Sequence, residues 1–109
     1  MSDYAVPRNF DAHVGVLEWW LSVNPQALAV IEMKVVQLAM NGQKRIYASQ
    51  LIEHANDELG NRTKDVTFTD QDGHDHKYRL SNASGSALCR ILYERRPTLG
   101  VEYRAREGK

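Results

Sequence analysis

The pattern of apolar and polar residues changes character near position 60. Before that point, apolar residues recur at steps of three and four, which is typical of helices that bury one face. We predict one helix from near Phe10 to the residue before Asn24, a second over 25–41 and a third over 49–59. Their apolar faces consist, in chain order, of Val14, Leu17, Trp20 and Leu21, then Leu28, Ile31, Val35 and Leu38, and finally Leu51, Ile52, Ala55 and Leu59.

Capping signals mark the ends of these segments. Asn24-Pro25 is typical of a helix start, because asparagine is a good N-cap and proline is tolerated in the first turn. Asn41-Gly42 is typical of a helix end. For the third helix, either Ser49 is the N-cap or the helix starts one residue earlier. Residues 44–47, which separate the second helix from the third, fit a short edge strand or a connector.

Beyond position 60 the pattern becomes one of short strands and turns. The stretches 66–69 and 77–80 are rich in β-forming residues, and the loop between them contains Asp72-Gly73, a strong signal for a hairpin. A further strand is predicted over 101–106, because apolar residues there alternate with polar, mostly basic ones.

A fourth helix is predicted over 84–96. Either Asn82 or Ser84 caps it, and Pro97 closes it because the residue before a proline avoids the helical region. The side chains that point inward from this helix are Leu88, Ile91 and Leu92.

Together these elements predict a single α+β domain over 1–109, with three N-terminal helices, a β-hairpin, a fourth helix and a C-terminal strand. The length of 109 residues suits one domain with one core. Residues 1–9 show no periodicity, and we expect them to form a loose lead-in. A hydrophobic fraction of 42% and a charged fraction of 26% are those of globular proteins, so disordered, collagen-like and coiled-coil classes are disfavoured.

The sequence predicts a cytoplasmic protein that does not enter a membrane. No apolar run approaches the roughly 20 residues that cross a bilayer. Asp3 and Arg8 stand where a signal peptide would be apolar. The single cysteine, Cys89, has no disulfide partner in the chain, which is what a reducing compartment favours.

Charge is balanced in total and unevenly distributed. The chain has 14 basic and 14 acidic residues, which disfavours a surface built throughout to attract phosphate. From Lys77 to the end there are eight basic and three acidic residues, so this third carries +5 and the remainder −5. Such asymmetry indicates contact with a polyanion, or pairing of the two parts within the chain or between two copies.

The candidate chemical groups form no recognisable catalytic or metal site. We therefore predict no enzyme activity, no metal and no cofactor. Ligand-type side chains do occur in the predicted hairpin loop: Asp70, Asp72, His74, Asp75 and His76. Their spacing fits neither an EF-hand nor a zinc site, and we interpret the loop as a solvated polar turn. Cys89 is interpreted as a packing residue of the fourth helix and not as a nucleophile paired with His13 or His54.

The fourth helix and its flanks carry the main functional hypothesis. Its outer face presents Ser and Arg, residue types that contact phosphates and base edges. Gly85 would allow a nucleic-acid backbone to approach closely. The candidate nucleic-acid-binding residues are Ser84, Ser86, Arg90, Arg95, Arg96, Arg104 and Arg106. The alternative is an ordinary solvated face, with arginines that favour the C-terminal end of a helix.

Trp19 and Trp20 are the candidates for a partner interface, since tryptophan is enriched among residues that anchor protein complexes. Two adjacent helical residues point about 100° apart, so at most one of them lies at the centre of the core-facing stripe. A homodimer is one form that such an interface can take.

The succession of helix 25–41, segment 44–47, helix 49–59, helix 84–96 and basic strand 101–106 resembles the winged helix-turn-helix arrangement. In that family the third helix of the core enters the major groove of DNA and a β wing contacts the backbone. The chain departs from the pattern where the hairpin 66–80 replaces a short turn. The run 78–100 also resembles compact proteins encoded by phages and other mobile elements.

Two functional hypotheses follow. The first is a small winged-helix-like protein that binds nucleic acid, duplex DNA in particular, in a regulatory role. The alternative is a non-enzymatic protein-interaction module, such as an inhibitor or adaptor. Helix 49–59 is acidic and carries Glu53, Asp57 and Glu58. If these carboxylates neutralise the basic C-terminal third, the protein-interaction hypothesis is favoured over nucleic-acid binding.

Overall fold

The computed structural model describes residues 4–95 and 100–105, and in this part of the chain it confirms an α+β fold. The first three helices occur where the sequence predicts them. The elements, in chain order, are α1 Phe10–Val23, α2 Pro25–Met40, β1 Arg45–Tyr47, α3 Ala48–Leu59, β2 Val66–Thr69, β3 Asp75–Tyr78, a 3-10 turn Asn82–Ser84, α4 Gly85–Arg95 and β4 Glu102–Arg104. Within the described residues, no helix is both long enough and apolar enough to cross a membrane.

The first strand of the hairpin lies at Val66–Thr69 as predicted, whereas the second strand is displaced. The sequence predicts its second strand over 77–80, but the strand lies at Asp75–Tyr78, because Thr69 pairs with Asp75 directly beside the turn. Strand β3 ends at Tyr78, and the Leu80 side chain then enters the core. The turn is fixed by Asp70, whose carboxylate accepts the backbone N–H groups of Asp72 and His74, both at 2.9 Å.

The fourth helix begins with a different cap from either predicted one. Ser81, and not Asn82 or Ser84, is the N-cap, and it forms a capping box in which its backbone N–H donates to Ser84 Oγ at 3.2 Å. A 3-10 turn therefore precedes α4, which starts at Gly85. The predicted closure of this helix at Pro97 lies outside the described residues.

Within residues 4–95 and 100–105, the strands form two separate two-stranded sheets. Strands β2 and β3 make the antiparallel hairpin, whereas β1 pairs in parallel with β4. In that parallel pair Arg45 lies opposite Glu102, Ile46 opposite Tyr103 and Tyr47 opposite Arg104. The C-terminal strand is thus carried back to the segment between α2 and α3, and the hairpin pairs with neither strand of this sheet.

The core lies between the helices, with α2 packed on α3 and α1 packed on α4. Ile46 and Tyr103, which occupy the centre of the β1–β4 pair, are both buried in it. Asn24 is also fully buried, and its side chain does not cap α2. Its amide instead donates to the Lys64 carbonyl at 2.9 Å and accepts the Lys64 N–H at 2.7 Å, which ties the α1–α2 corner to the loop before the hairpin.

Part of the expected loose lead-in is attached to the domain. Tyr4 forms a parallel bridge with Lys77, and the Ala5 N–H donates to the Lys77 carbonyl at 3.1 Å. The Tyr4 hydroxyl donates to Asp65 at 2.9 Å, and Asn9 caps α1 through a bond from the Ala12 N–H at 3.0 Å. The bridge extends the outer edge of β3.

A buried chain of hydrogen bonds joins α1, the hairpin and the start of α4. His13 Nε2 lies 3.0 Å from the Tyr78 hydroxyl, which lies 2.7 Å from Ser84 Oγ. Burial lowers the pKa of His13 below its usual value and raises the pKa of Tyr78 to about 12. His13 is therefore neutral in the folded protein near pH 7.

We expect stability to fall as the pH drops below about 6.5, the ordinary pKa of histidine. In that window the unfolded chain takes up a proton at His13 that the folded protein does not, so unfolding is favoured by at most about 1.4 kcal/mol per pH unit. Urea unfolding at a series of pH values above 5 measures this slope. Asp70, whose pKa is lowered to about 2 first by its bond to His76 and then by the His74 N–H, stays ionised throughout this series.

His13→Gln should flatten the slope, because the amide keeps a hydrogen-bonding group and does not titrate. The control is His54→Gln, a half-exposed position on α3. An equal slope in wild type and His13→Gln would contradict the assignment of the pH dependence to His13.

Candidate functional site

The residues predicted to contact nucleic acid do not share one surface. Ser84 is fully buried, because the 3-10 turn directs it inward to Tyr78, so its predicted contact with a ligand is wrong. Ser86 is exposed on α4. Arg90 lies one turn beyond Ser86, and its Nε donates to Glu94 at 3.0 Å. Arg96 and Arg106 lie outside the described residues.

The predicted close approach at Gly85 involves this chain's own backbone. Gly85 is buried, and a Cβ built there would lie 3.0 Å from the Ala105 carbonyl oxygen and 3.4 Å from the Ala105 Cβ. The same Ala105 carbonyl accepts the Ser49 N–H at 3.0 Å. Gly85 therefore allows α4 to pack against the end of the C-terminal strand, and no room is left for a nucleic-acid backbone.

The arginines described in the C-terminal third are each close to a carboxylate. The pairs are Arg79 with Asp65 at 3.0 Å, Arg90 with Glu94 at 3.0 Å, Arg95 with Glu32 at 2.8 Å and Arg104 with Glu102 at 2.7 Å. The expected partners on α3, Glu53, Asp57 and Glu58, supply none of these contacts. Of these four arginines, Arg79 and Arg95 are paired with carboxylates from outside the C-terminal third, and these are Asp65 and Glu32, not the carboxylates of α3 that the sequence suggested.

The two tryptophans are divided between the core and the surface. Trp20 is 1% exposed and packs in the core, so its predicted role in an interface is wrong. Trp19 is 47% exposed on the outer side of α1. The division agrees with the 100° angle between adjacent helical side chains.

The parallel strand pair gathers basic residues that the sequence leaves apart. Arg45 Nε lies 3.2 Å from Glu102 Oε1, and Arg104 Nη2 lies 2.7 Å from Glu102 Oε2. Hydrogen bonds from Arg104 and then Arg45 lower the pKa of Glu102 below its usual value. Lys44 is exposed next to Arg45, and its carbonyl accepts the Glu102 N–H at 2.7 Å. We call Lys44, Arg45, Glu102 and Arg104 the basic strand pair.

A polar groove adjoins the basic strand pair at Tyr47. It has a volume of about 460 Å³ and lies between the segment around β1, the first turns of α3 and the 3-10 turn. Its lining residues are Gln43, Tyr47, Ser49, Gln50, Glu53 and Asn82. Tyr47 connects the two features, because it is hydrogen-bonded to Arg45 and lies opposite Arg104 in the strand register.

Sequence reasoning missed Lys44 and Arg45 as candidate residues. Their signal is present as two adjacent basic residues before a strand, but the local pattern of segment 44–47 indicates only an edge strand or connector. The decisive fact is the parallel pairing with β4, which brings Arg104 beside Arg45. Register between strands so distant in sequence follows from tertiary packing and not from local pattern.

The hairpin loop has the structure of a polar turn. His76 Nε2 lies 2.7 Å from Asp70 Oδ2, and the other oxygen of this carboxylate accepts the two backbone N–H groups of the turn. Among residues 4–95 and 100–105, no group of three or more His, Cys, Asp or Glu side chains is placed to hold a metal ion. Cys89 is buried in α4, where burial raises the pKa of its thiol to about 11.

Comparison of the chain with protein-family models, with curated proteins and with solved structures gives no match. The features that bear on function are therefore the basic strand pair, the polar groove and the other exposed surfaces of the chain itself.

The packing at Gly85 gives a stability prediction. Gly85→Ala should destabilise the protein by about 1–3 kcal/mol, because the new methyl group meets a backbone carbonyl that the Ser49 N–H already holds. Gly15→Ala is the matched control, since Gly15 lies in α1 with nothing within 4 Å of an added Cβ. That change should stabilise by about 0.5–1 kcal/mol through helix propensity. Urea unfolding measures both, and a stabilised Gly85→Ala variant would show that Ala105 does not constrain α4.

Proposed function

We propose that this protein binds nucleic acid, duplex DNA in particular, with the basic strand pair contacting phosphates. The observation that carries the proposal is the placement of two guanidinium groups on one exposed carboxylate. The strand pair also includes the exposed Lys44, so it has three cationic side chains and one anionic one. Phosphate contacts of this kind supply most of the affinity of nucleic-acid binding.

The arginines keep donors for a ligand although both are paired. A guanidinium has five N–H groups in a planar fork. Arg45 contacts Glu102 through Nε, and Arg104 through Nε and Nη2, so each retains N–H groups for a phosphate oxygen. About half of each arginine side chain is exposed to solvent. Exposed ion pairs contribute little stability, so exchange of the carboxylate for phosphate has a small cost.

The polar groove supplies the side chains that would contact base edges or sugars. Asparagine and glutamine amides pair with adenine, and serine hydroxyls accept or donate to several bases. Gln43, Gln50 and Asn82 line the groove, which adjoins the strand pair at Tyr47. Glu53 also lines it, and this carboxylate favours a base amino group, such as that of cytosine, over a phosphate at its end of the groove.

The winged-helix-like arrangement forms part of this proposal. Helices α2 and α3 flank β1, and α4 is followed by β4, which is the succession that the sequence suggested; the parallel pairing of β4 with β1 was not part of that expectation. In this arrangement the first turn of α3 and the turn before α4 line the groove together. The surface we propose is therefore centred on the strand pair, and the exposed C-terminal half of α4 is not part of it.

A protein-interaction module is the second candidate function. The specific observation in its favour is an exposed apolar face on α2, with Met33 73% and Met40 81% exposed. Exposed methionines are common on adaptable protein-binding surfaces. The neutralised arginines of α4 agree with this candidate as well.

The test of the proposed function compares two charge-matched variants. Mobility shift with a mixed duplex DNA pool at about 50 and about 200 mM salt should show binding that weakens steeply as salt rises. Arg45→Ala with Arg104→Ala should lower the affinity at least about tenfold and reduce the salt slope by about two. Arg90→Ala with Arg95→Ala removes the same charge from α4 and should lower it less than about threefold.

Thermal unfolding of both variants establishes that they are folded before their binding is compared. A larger loss in the α4 variant would place the phosphate contacts on α4, as the sequence suggested, and would refute the basic strand pair. No binding of wild type at the lower salt concentration would contradict the proposal and favour the protein-interaction module.

A further inference from the structure

Strand β4 is short and has a neighbouring strand on one edge only. It pairs with β1 over three residues, and among residues 4–95 and 100–105 no strand lies on its other edge. A sheet of two strands is marginally stable by itself, and parallel pairing is slightly less stable per residue than antiparallel pairing. The position of Arg104 in the basic strand pair therefore needs support from outside the β1–β4 ladder.

The backbone of Tyr103 faces the edge of β4 that has no strand beside it. On the edge towards β1, the Glu102 N–H donates to the Lys44 carbonyl at 2.7 Å. The backbone groups of successive residues in a strand point to opposite edges. The N–H and the carbonyl of Tyr103, the middle residue of β4, are thus directed away from β1, and the ladder supplies no partner for them.

The hydroxyl group of Tyr93, on α4, bonds to both of these backbone groups. The Tyr103 N–H donates to Tyr93 Oη at 2.8 Å, and Tyr93 Oη donates in turn to the Tyr103 carbonyl at 3.4 Å. A phenol hydroxyl can do both, because it has one donor hydrogen and acceptor lone pairs. Tyr93 thus makes the two bonds that a third strand would make at this edge.

The ring of Tyr93 is held by a second contact with the same residue. It lies edge-on to the ring of Tyr103, with the centroids 5.0 Å apart and an angle of 81° between the ring planes. Aromatic pairs favour this arrangement, and the Tyr103 ring is buried in the core. Together with the close packing of Gly85 on Ala105, the Tyr93 contact means that α4 holds the C-terminal strand at two points.

From this geometry we propose that Tyr93 is a positioning residue of the basic strand pair. Its bonds to Tyr103 hold β4 beside β1 in the register that places Arg104 next to Glu102. Tyr93 itself contacts no phosphate and acts through Arg104. Its effect on DNA binding rests on the proposed function, whereas its effect on β4 does not depend on a ligand.

Amide hydrogen exchange of the full chain, followed by NMR, measures the effect on β4. Tyr93→Phe keeps the ring and removes only the hydroxyl group. The Tyr103 amide should exchange at least about tenfold faster in this variant, because it loses its acceptor. The Glu102 amide, bonded on the edge towards β1, should exchange at least about threefold faster, because the strand pair opens more often.

Tyr4→Phe is the matched control for this experiment. It also removes one phenol hydroxyl, which in wild type donates to Asp65 beside the hairpin. This variant should leave the exchange rates of the Tyr103 and Glu102 amides within about twofold of wild type, since distant sites act independently. Circular dichroism checks that both variants are folded.

Mobility shift with duplex DNA measures the effect on the basic strand pair. Tyr93→Phe should lower the affinity about threefold, because Arg104 is held less firmly and loses more freedom when it contacts phosphate. The same change made in an Arg104→Ala protein should leave the affinity within about 1.5-fold, because a residue that acts through Arg104 has no effect once that arginine is removed. A merely structural role of Tyr93 would lower the affinity equally in both proteins.

The results separate failure of this inference from failure of the proposed function. Unchanged exchange of the Tyr103 amide in Tyr93→Phe would overturn the inference, and so would faster exchange at Tyr103 with an unchanged rate at Glu102. An equal loss of DNA affinity with and without Arg104 would also overturn it. A wild-type protein that does not bind DNA would refute the proposed function and the role of Tyr93 in binding, and the exchange rates would still decide whether Tyr93 holds β4.

Discussion

The parallel pairing of β1 with β4 is the constraint on which the surface of this protein depends. It buries Ile46 and Tyr103 in the core and leaves the side chains on either side of them outside. Because strand neighbours alternate in direction, Arg45 and Arg104 are then held on either side of Glu102. The pairing also brings Ala105 against α3 and α4, where only a glycine at position 85 leaves enough room. One backbone ladder thus sets both the packing of α4 and the position of the basic strand pair.

The helices were predictable because their signals are local. Apolar spacing and the signal at Asn24-Pro25 placed α1 and α2, and Gly60 ended α3. The role of Asn24 was not predictable, since its side chain bonds to Lys64, a residue distant in sequence. The sequence also placed the cap of the fourth helix at Asn82 or Ser84, whereas the capping box lies at Ser81, at the start of the preceding 3-10 turn. The capping box at Ser81 is a short-range motif, but it is coupled to the buried bond between Ser84 and Tyr78.

The candidate surfaces were only partly predictable. The exposed positions of Ser86, Arg90 and Trp19 follow from helical periodicity. The same periodicity predicts that Ser84 is exposed, but Ser84 lies in the 3-10 turn before α4. A 3-10 turn has three residues per turn instead of 3.6, so the side chain points in a different direction. Charge asymmetry indicated a basic C-terminal third, but the carboxylates that pair with it come from α1, α2, α4, β4 and the loop before the hairpin. Only the folded structure shows that Arg45 and Arg104 both contact Glu102. It also shows that α2 has exposed apolar residues, Met33 and Met40, opposite its buried side.

The central claim is that the basic strand pair contacts phosphate, and Glu102→Gln tests it most directly. This change removes the one carboxylate that competes with phosphate for both guanidinium groups and keeps a side chain of similar shape. DNA affinity measured against salt concentration should rise in the variant, with a salt slope steeper by roughly one, because loss of the carboxylate raises the net charge of the strand pair by one. Unchanged or weaker binding by a folded Glu102→Gln protein would contradict the account.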